Sequence, residues 1–109
     1  MILSTREEKG WKVIKLEGPF VVRNSSSVVS ILKEFIEESE TPHIAMDLSE
    51  TTYMDSSAIS LIVGHSKEIK SKNGDFFLFG ANETIKDIFD IVSLDMIVDI
   101  GETLSDISS

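Results

Sequence analysis

The residues with most chemistry to offer are Asp55, Ser56 and Ser57, a carboxylate and two hydroxyls between a short polar loop and a helix-like segment. Oxygens of Asp and Ser side chains accept the unpaired amides at a helix start, so capping is the plainest use of this tripeptide. A hydroxyl in that position is also a place to attach a phosphate. The phosphate would bring about −1.5 to −2 charges, and the positive end of the helix would stabilise it. A partner fitted to the neutral surface would then have to bury that charge. The expected consequence is a change of partner without refolding.

The remaining reactive residue types form no comparable group. His43 and His65 are the only histidines, and neither has a second ligand at helical or hairpin spacing. His65 shares a helix side with Leu61 and Ile69 and reads as a packed or edge residue. There is no cysteine, hence no disulfide, thiol nucleophile or thiolate metal site. Asp47 ends a strand as the phosphoacceptor of receiver domains does, but no acidic pair or lysine is placed to accompany it, and a loop or capping role is favoured. Ser25, Ser26 and Ser27 read as a capping run. No Gly-rich phosphate loop and no nucleophile, base and orienter set is present. We expect no enzymatic activity, no metal and no cofactor.

The elements that must position Ser57 follow from hydrophobic periodicity. Ile2 to Thr5 suits a short edge strand, and Trp11 to Glu17 a strand that Gly18-Pro19 breaks. Phe20 to Val22 is a brief β-type run. Asn24 or one of Ser25 to Ser27 then caps a helix with Val28, Val29, Leu32, Phe35 and Ile36 at helical spacing. His43 to Leu48 reads as a strand, Ser49 to Thr52 as a loop, and Ile59 to Ser71 as a helix begun by Asp55. Phe76 to Phe79 suits a strand buried on both faces. Asn82 or Thr84 caps a third helix with Ile85, Ile88, Phe89 and Val92 on one side. Met96 to Ile100 reads as the last strand and Glu102 to Ile107 as a terminal helix or tail. Strands alternating with helices after residue 24 predict an α/β fold: a mixed β-sheet with helices packed against it and an antiparallel N-terminal part.

On the helix after Asp55, Ala58, Leu61, Ile62 and Ile69 lie on one side, and Ile59 and Val63 widen the apolar arc to roughly 200°, against the ~100° a surface helix needs. Either another part of the domain covers the surplus, or Ile59 and Val63 join Asp55, Ser56 and Ser57 in a partner-binding surface.

Composition limits the partners. The 109 residues suit one domain, residues 1–109, and 41% apolar residues suffice for one core. Ten basic against nineteen acidic residues leave a net charge of −9, which repels nucleic acid and anionic membrane surfaces and favours a basic protein partner. The N-terminus lacks the basic start and apolar run of a signal peptide, and no run approaches the ~18 apolar residues of a membrane span. A cytoplasmic location is expected.

The segment Met54-Asp55-Ser56-Ser57-Ala58-Ile59-Ser60-Leu61-Ile62-Val63-Gly64 resembles the signature around the phosphorylated serine of anti-sigma factor antagonists, members of the STAS domain family. Met46-Asp47-Leu48-Ser49, the basic helix end Lys67 to Lys72, the turn at Asn73-Gly74 and Leu94-Asp95 match in order and spacing over nearly the whole chain. The resemblance implies a single STAS-like domain with Ser57 as phosphoacceptor and Asp55 and Ser56 shaping the loop. It implies an anti-sigma factor that is itself a serine kinase as partner, held by the unphosphorylated protein so that a sigma factor is released for transcription. A protein phosphatase would reset Ser57. The chain departs from the family pattern at Ala58, where Gly is frequent, and at Val22, where an acidic residue is common. The alternatives are a STAS-type subunit of a larger assembly, a signalling complex or lipid transporter in which Ser57 only caps, and a degenerate receiver phosphorylated on Asp47.

Overall fold

A six-stranded sheet, as far as the described residues go, is built from β1 (Ile2–Glu8), β2 (Trp11–Phe20), β3 (His43–Asp47), β4 (Thr51–Met54), β5 (Asp75–Phe79) and β6 (Asp99–Gly101). The computed structural model describes residues 1–106. Helices α1 (Ser26–Glu38), α2 (Ser56–Ser71) and α3 (Glu83–Ile91) fill the connections. The chain enters the sheet as a β1–β2 hairpin whose two turn residues, Lys9 and Gly10, both have positive φ, the backbone twist that a tight antiparallel turn needs. Every other pairing is parallel, in the order β1-β2-β3-β5-β6, with β4 beside β2. The sheet is therefore mixed, as expected, and its antiparallel edge is not receiver architecture.

The alternation of β2, β3 and β5 divides the core between two faces. Ile14, Leu16, Ile44, Met46, Phe76 and Leu78 face the helices and are fully or almost fully buried against Val28, Leu32, Ile36, Ala58, Ile62, Ile85 and Phe89. Val13, Ala45, Phe77 and Phe79 point the other way, where Trp11 and Leu104 cover them. The unbroken run Phe76 to Phe79 is thus buried on both faces. Each aliphatic or aromatic side chain so buried contributes about 1.5–3 kcal/mol.

Three expectations need correction. Gly18-Pro19 does not end β2, because the strand passes through a bulge there and goes on to Phe20, with φ of +101° at Gly18. Thr51 and Thr52 belong to β4 and not to a loop: after the bulge β2 has a free edge, and β4 pairs with it. The last strand begins at Asp99, not Met96. Ser93, at φ 54°, turns the chain out of α3, and Leu94–Met96 forms a 3-10 turn closed by Ile97 N–H on Leu94 O at 2.9 Å. A further 3-10 turn, Leu104–Asp106, follows β6, and Ile107 lies outside the described residues.

Candidate functional site

β2 and β4 run parallel, so their carboxyl ends, Phe20 and Met54, lie side by side. Both are buried, and the chain leaves each strand directly into the segment that starts a helix. This register brings the turn at residues 19–25 against the start of α2.

Asp55 ties the two together. Its Oδ1 accepts the Ala58 amide at 2.9 Å, capping α2, and its Oδ2 accepts the Val22 amide at 3.0 Å. The Val22 amide first, and that of Ala58 second, hold the Asp55 carboxyl below the ordinary carboxylate range, against a smaller opposing effect of desolvation. The turn is braced from its other side by Asn24, whose Oδ1 accepts the Val21 amide at 3.1 Å and whose Nδ2 donates to Pro19 O at 2.8 Å. The carboxylate predicted to flank the serines is thus a clamp between two elements.

With Asp55 as cap, the serines need not serve as caps. Ser56 and Ser57 occupy the first two positions of α2 and are exposed. Each hydroxyl stands at the positive end of a 16-residue helix, where added negative charge is stabilised. The Ser25 to Ser27 run has a different fate. No side chain caps α1: Ser25 sits at the cap position, but its Oγ donates to Val22 O at 3.0 Å, inside the preceding turn.

The proposed patch on α2 is only partly as expected. Ile59 is 9% exposed and packs in the helix-side core, which leaves little of its side chain for a partner. Its direction is shared by Ser66, which is fully buried and donates through Oγ to Ile97 O at 3.3 Å. The inward line of α2 therefore runs through Ala58, Ile59, Ile62, Ser66 and Ile69, with Leu61 and Val63 half-buried on its two flanks. Val63 is left with a partly open side chain two turns along the helix from Ser56.

Two apolar residues that the periodicity did not single out for this surface are open beside the hydroxyls. Val22, whose amide Asp55 holds, is 62% exposed, and Tyr53, two residues before Asp55, is 49% exposed. Tyr53 was legible in outline, because alternation from buried Met54 turns its neighbour outward. Val22 stands where the family pattern carries an acidic residue.

The other candidates take structural places. Asp47 is almost wholly buried, with Oδ1 accepting the Ser49 amide at 3.0 Å and Oδ2 3.5 Å from the Arg6 guanidinium. This is the loop-bracing role expected of it, and it leaves no open carboxylate for a receiver-type phosphate. His65 is half-buried with Nδ1 2.8 Å from Leu61 O; a carbonyl can only accept, so Nδ1 carries the proton. His43 stands at the opposite strand end, 3.0 Å from Asp75. Among the described residues no helix is long and apolar enough to cross a membrane.

The model of the STAS domain family matches residues 3–107. The chain belongs to the STAS domain family. An anti-sigma F factor antagonist of Paenibacillus polymyxa is 26% identical over 98 residues, covering 90% of this chain and 84% of that protein. The anti-sigma-factor antagonist (STAS) domain protein of Planctomyces limnophilus superposes with a TM-score of 0.83 at 18% identity, covering 94% of this chain and 92% of that one. The phosphorylated form of the Bacillus cell fate determinant SpoIIAA superposes with a TM-score of 0.74 at 18% identity, over 95% of this chain and 94% of that one. These two superpositions establish the fold alone. The curated relative carries the antagonist name.

Proposed function

We propose that this STAS domain is an anti-sigma factor antagonist whose binding is switched by phosphorylation of Ser57. The observation that carries the reading is the exposed Ser57 hydroxyl at the second position of α2, with Asp55 taking the cap that the serine would otherwise supply. A hydroxyl free of structural duty can be modified without unfolding the helix. The antagonist name of the Paenibacillus relative supports the same reading.

The unphosphorylated surface consists of Val22, Tyr53, Asp55, Ser56 and Ser57, with Val63 farther along α2. Tyr and a neighbouring aliphatic suit the desolvated centre of an interface, with Asp55 and the hydroxyls as its polar edge. The partner is an anti-sigma factor with serine-kinase activity, and binding it frees the sigma factor. Phosphate on Ser57 places charge at that edge, beside the Asp55 carboxylate and without a countercharge, and the complex opens. A phosphatase restores the neutral serine. The protein itself performs no bond chemistry.

The test uses the anti-sigma factor encoded in the same genome that is recovered with this chain. Incubation with that kinase and ATP should add one phosphate at Ser57, read by mass spectrometry, and Ser57→Ala should abolish it. Ser57→Asp should bind the partner about tenfold or more weakly than Ser57→Ala, on the order of 1.4 kcal/mol, with both variants folded. Phosphate found only on Ser25 to Ser27, or equal affinities of the two variants, would leave Ser57 with no role beyond the first turn of α2. In that outcome the subunit alternative takes over.

A further inference from the structure

Capping α2 takes only one of the two oxygens of Asp55. Oδ1 serves the Ala58 amide, and an asparagine or serine at this position would cap as well. The second oxygen leaves the helix and accepts the Val22 amide at 3.0 Å, from 33 residues earlier in the chain. That double use needs two acceptors on a short stem, which an ionised aspartate offers and asparagine does not.

The turn that Asp55 reaches has little else to hold it on the fold. Phe20 and Val28 are fully buried, and no residue between them is buried. Both bonds of the Asn24 side chain, Asn24 N–H on Val21 O, and the Ser25 amide and hydroxyl on Val22 O all stay within residues 19–25. They set the shape of the turn but not its place. Among the described hydrogen bonds, only Val22 to Asp55 runs from residues 21–25 to an element that does not adjoin them in sequence. What it places is an apolar side chain, since Val22 is 62% exposed. Tyr53, 49% exposed, pairs in register with Pro19 at the start of the same turn. A side chain held in its bound position beforehand contributes more to an interface, because ordering it on association costs free energy.

Resting on the functional reading above, we propose that Asp55 is a positioning residue for the anti-sigma factor. It fixes the 19–25 turn against the start of α2, so that Val22 meets the partner as a pre-placed apolar anchor. Its contribution to affinity comes through Val22 and not through a contact of its own. The partner groups received at Val22 are then apolar, in place of the lysine or arginine that a carboxylate at position 22 would take.

Two substitutions separate the roles of the two oxygens. Asp55→Asn keeps one acceptor for Ala58, while its NH2 group is a donor and cannot take the Val22 amide. Asp55→Ser caps α2 with a single oxygen on a shorter stem. Amide exchange of the free protein, followed by NMR, should quicken at Val22 by about tenfold in both variants. Affinity is then measured for the anti-sigma factor recovered with this chain, using wild type, Asp55→Asn, Val22→Ala and the double variant, each shown to be folded by a melting curve. Each single substitution should weaken binding by about tenfold. The double variant should be little weaker than either, because a turn no longer fixed has no placed anchor to lose. Additive losses would mean that Asp55 meets the partner itself, and would overturn the proposal. So would full affinity of Asp55→Asn, or a Val22 exchange rate unchanged in both Asp55 variants, which is seen without any partner. If the losses add while Ser57→Asp still weakens the complex, this inference alone falls. A wild-type chain that binds no anti-sigma factor would overturn the functional reading, and the partner role of Asp55 with it.

Discussion

Asp55 shows how one side chain can set the chemistry of its neighbours. By accepting two amides from two different segments it fixes the start of α2 and the 19–25 turn, and its carboxyl is held below the usual range by the Val22 amide above all. A depressed folded-state value means that the ionised form contributes stability above the unfolded carboxylate range, and that this contribution disappears as pH falls through the folded value. Asp55→Asn keeps an oxygen for Ala58 but loses the charge. Wild type should therefore lose more stability than Asp55→Asn between pH 7 and about pH 3, measured as denaturation midpoints. Asp106, depressed by the Thr103 and Glu102 amides, is common to both proteins and cancels. A second expectation concerns Ile59: Ile59→Ala should cost about 2–5 kcal/mol as a core deletion, and Val63→Ala clearly less, in the same denaturation assay. The Asp55 cap was legible because a carboxylate three residues before an amide at a helix start has few other uses. The burial of Ile59 was not, because its line on α2 is completed by Ser66. A polar residue cannot be recognised as buried until its acceptor, Ile97 O, is known.

The alternation of strands and helices was readable from periodicity, and the helices came out where the apolar spacing put them. What periodicity missed were elements defined by pairing with distant chain. Strand β4 has only four residues, with its two ends buried and its middle exposed, so it shows no alternation of period two. It exists because the bulge at Gly18 redirects β2, whose last residues then pair with Thr51–Met54. Gly18 also donates its amide to Glu50 O at 2.9 Å, closing the approach to β4. With φ at +101° any side chain at position 18 is strained, whereas the nearest atom a Cβ would meet, Met1 Cα at 3.6 Å, leaves room for it. Gly18→Ala should cost about 1–2 kcal/mol through the backbone alone, seen as a lowered denaturation midpoint. Because the bulge sets the Phe20–Met54 register, the same substitution should disturb the Val22–Asp55 contact. Amide exchange at Val22 should then quicken more than at Phe77, in the centre of the sheet. The placement of the last strand failed for a related reason: Met96 and Ile97 have strand-like side chains, but the buried anchors Leu94 and Val98 hold them in a turn.

At the scale of the whole chain the net charge of −9 acts on folding and on association with opposite sign. Like charges on a compact surface repel, so screening them should stabilise the fold. Apart from Arg6 with the buried Asp47 carboxylate, the described ion pairs are surface contacts such as Lys86 with Glu102 at 2.7 Å and with Glu83 at 3.3 Å, and pairs of this kind contribute little. The net repulsion therefore outweighs what salt removes from them. Melting temperature should rise as ionic strength goes from about 10 mM to about 150 mM, over which the Debye length shrinks from ~30 Å to ~8 Å. Association with the basic protein partner that this charge favours should respond the other way. Its rate constant should fall steeply over the same range while the dissociation rate changes far less, because on the proposed reading long-range attraction would steer the encounter and short-range packing at Val22 and Tyr53 would hold the complex. Stopped-flow measurements at several salt concentrations separate the two. An association rate that does not depend on salt would mean that the −9 charge has no part in finding the partner, and that recognition is carried by the surface around Ser57 alone.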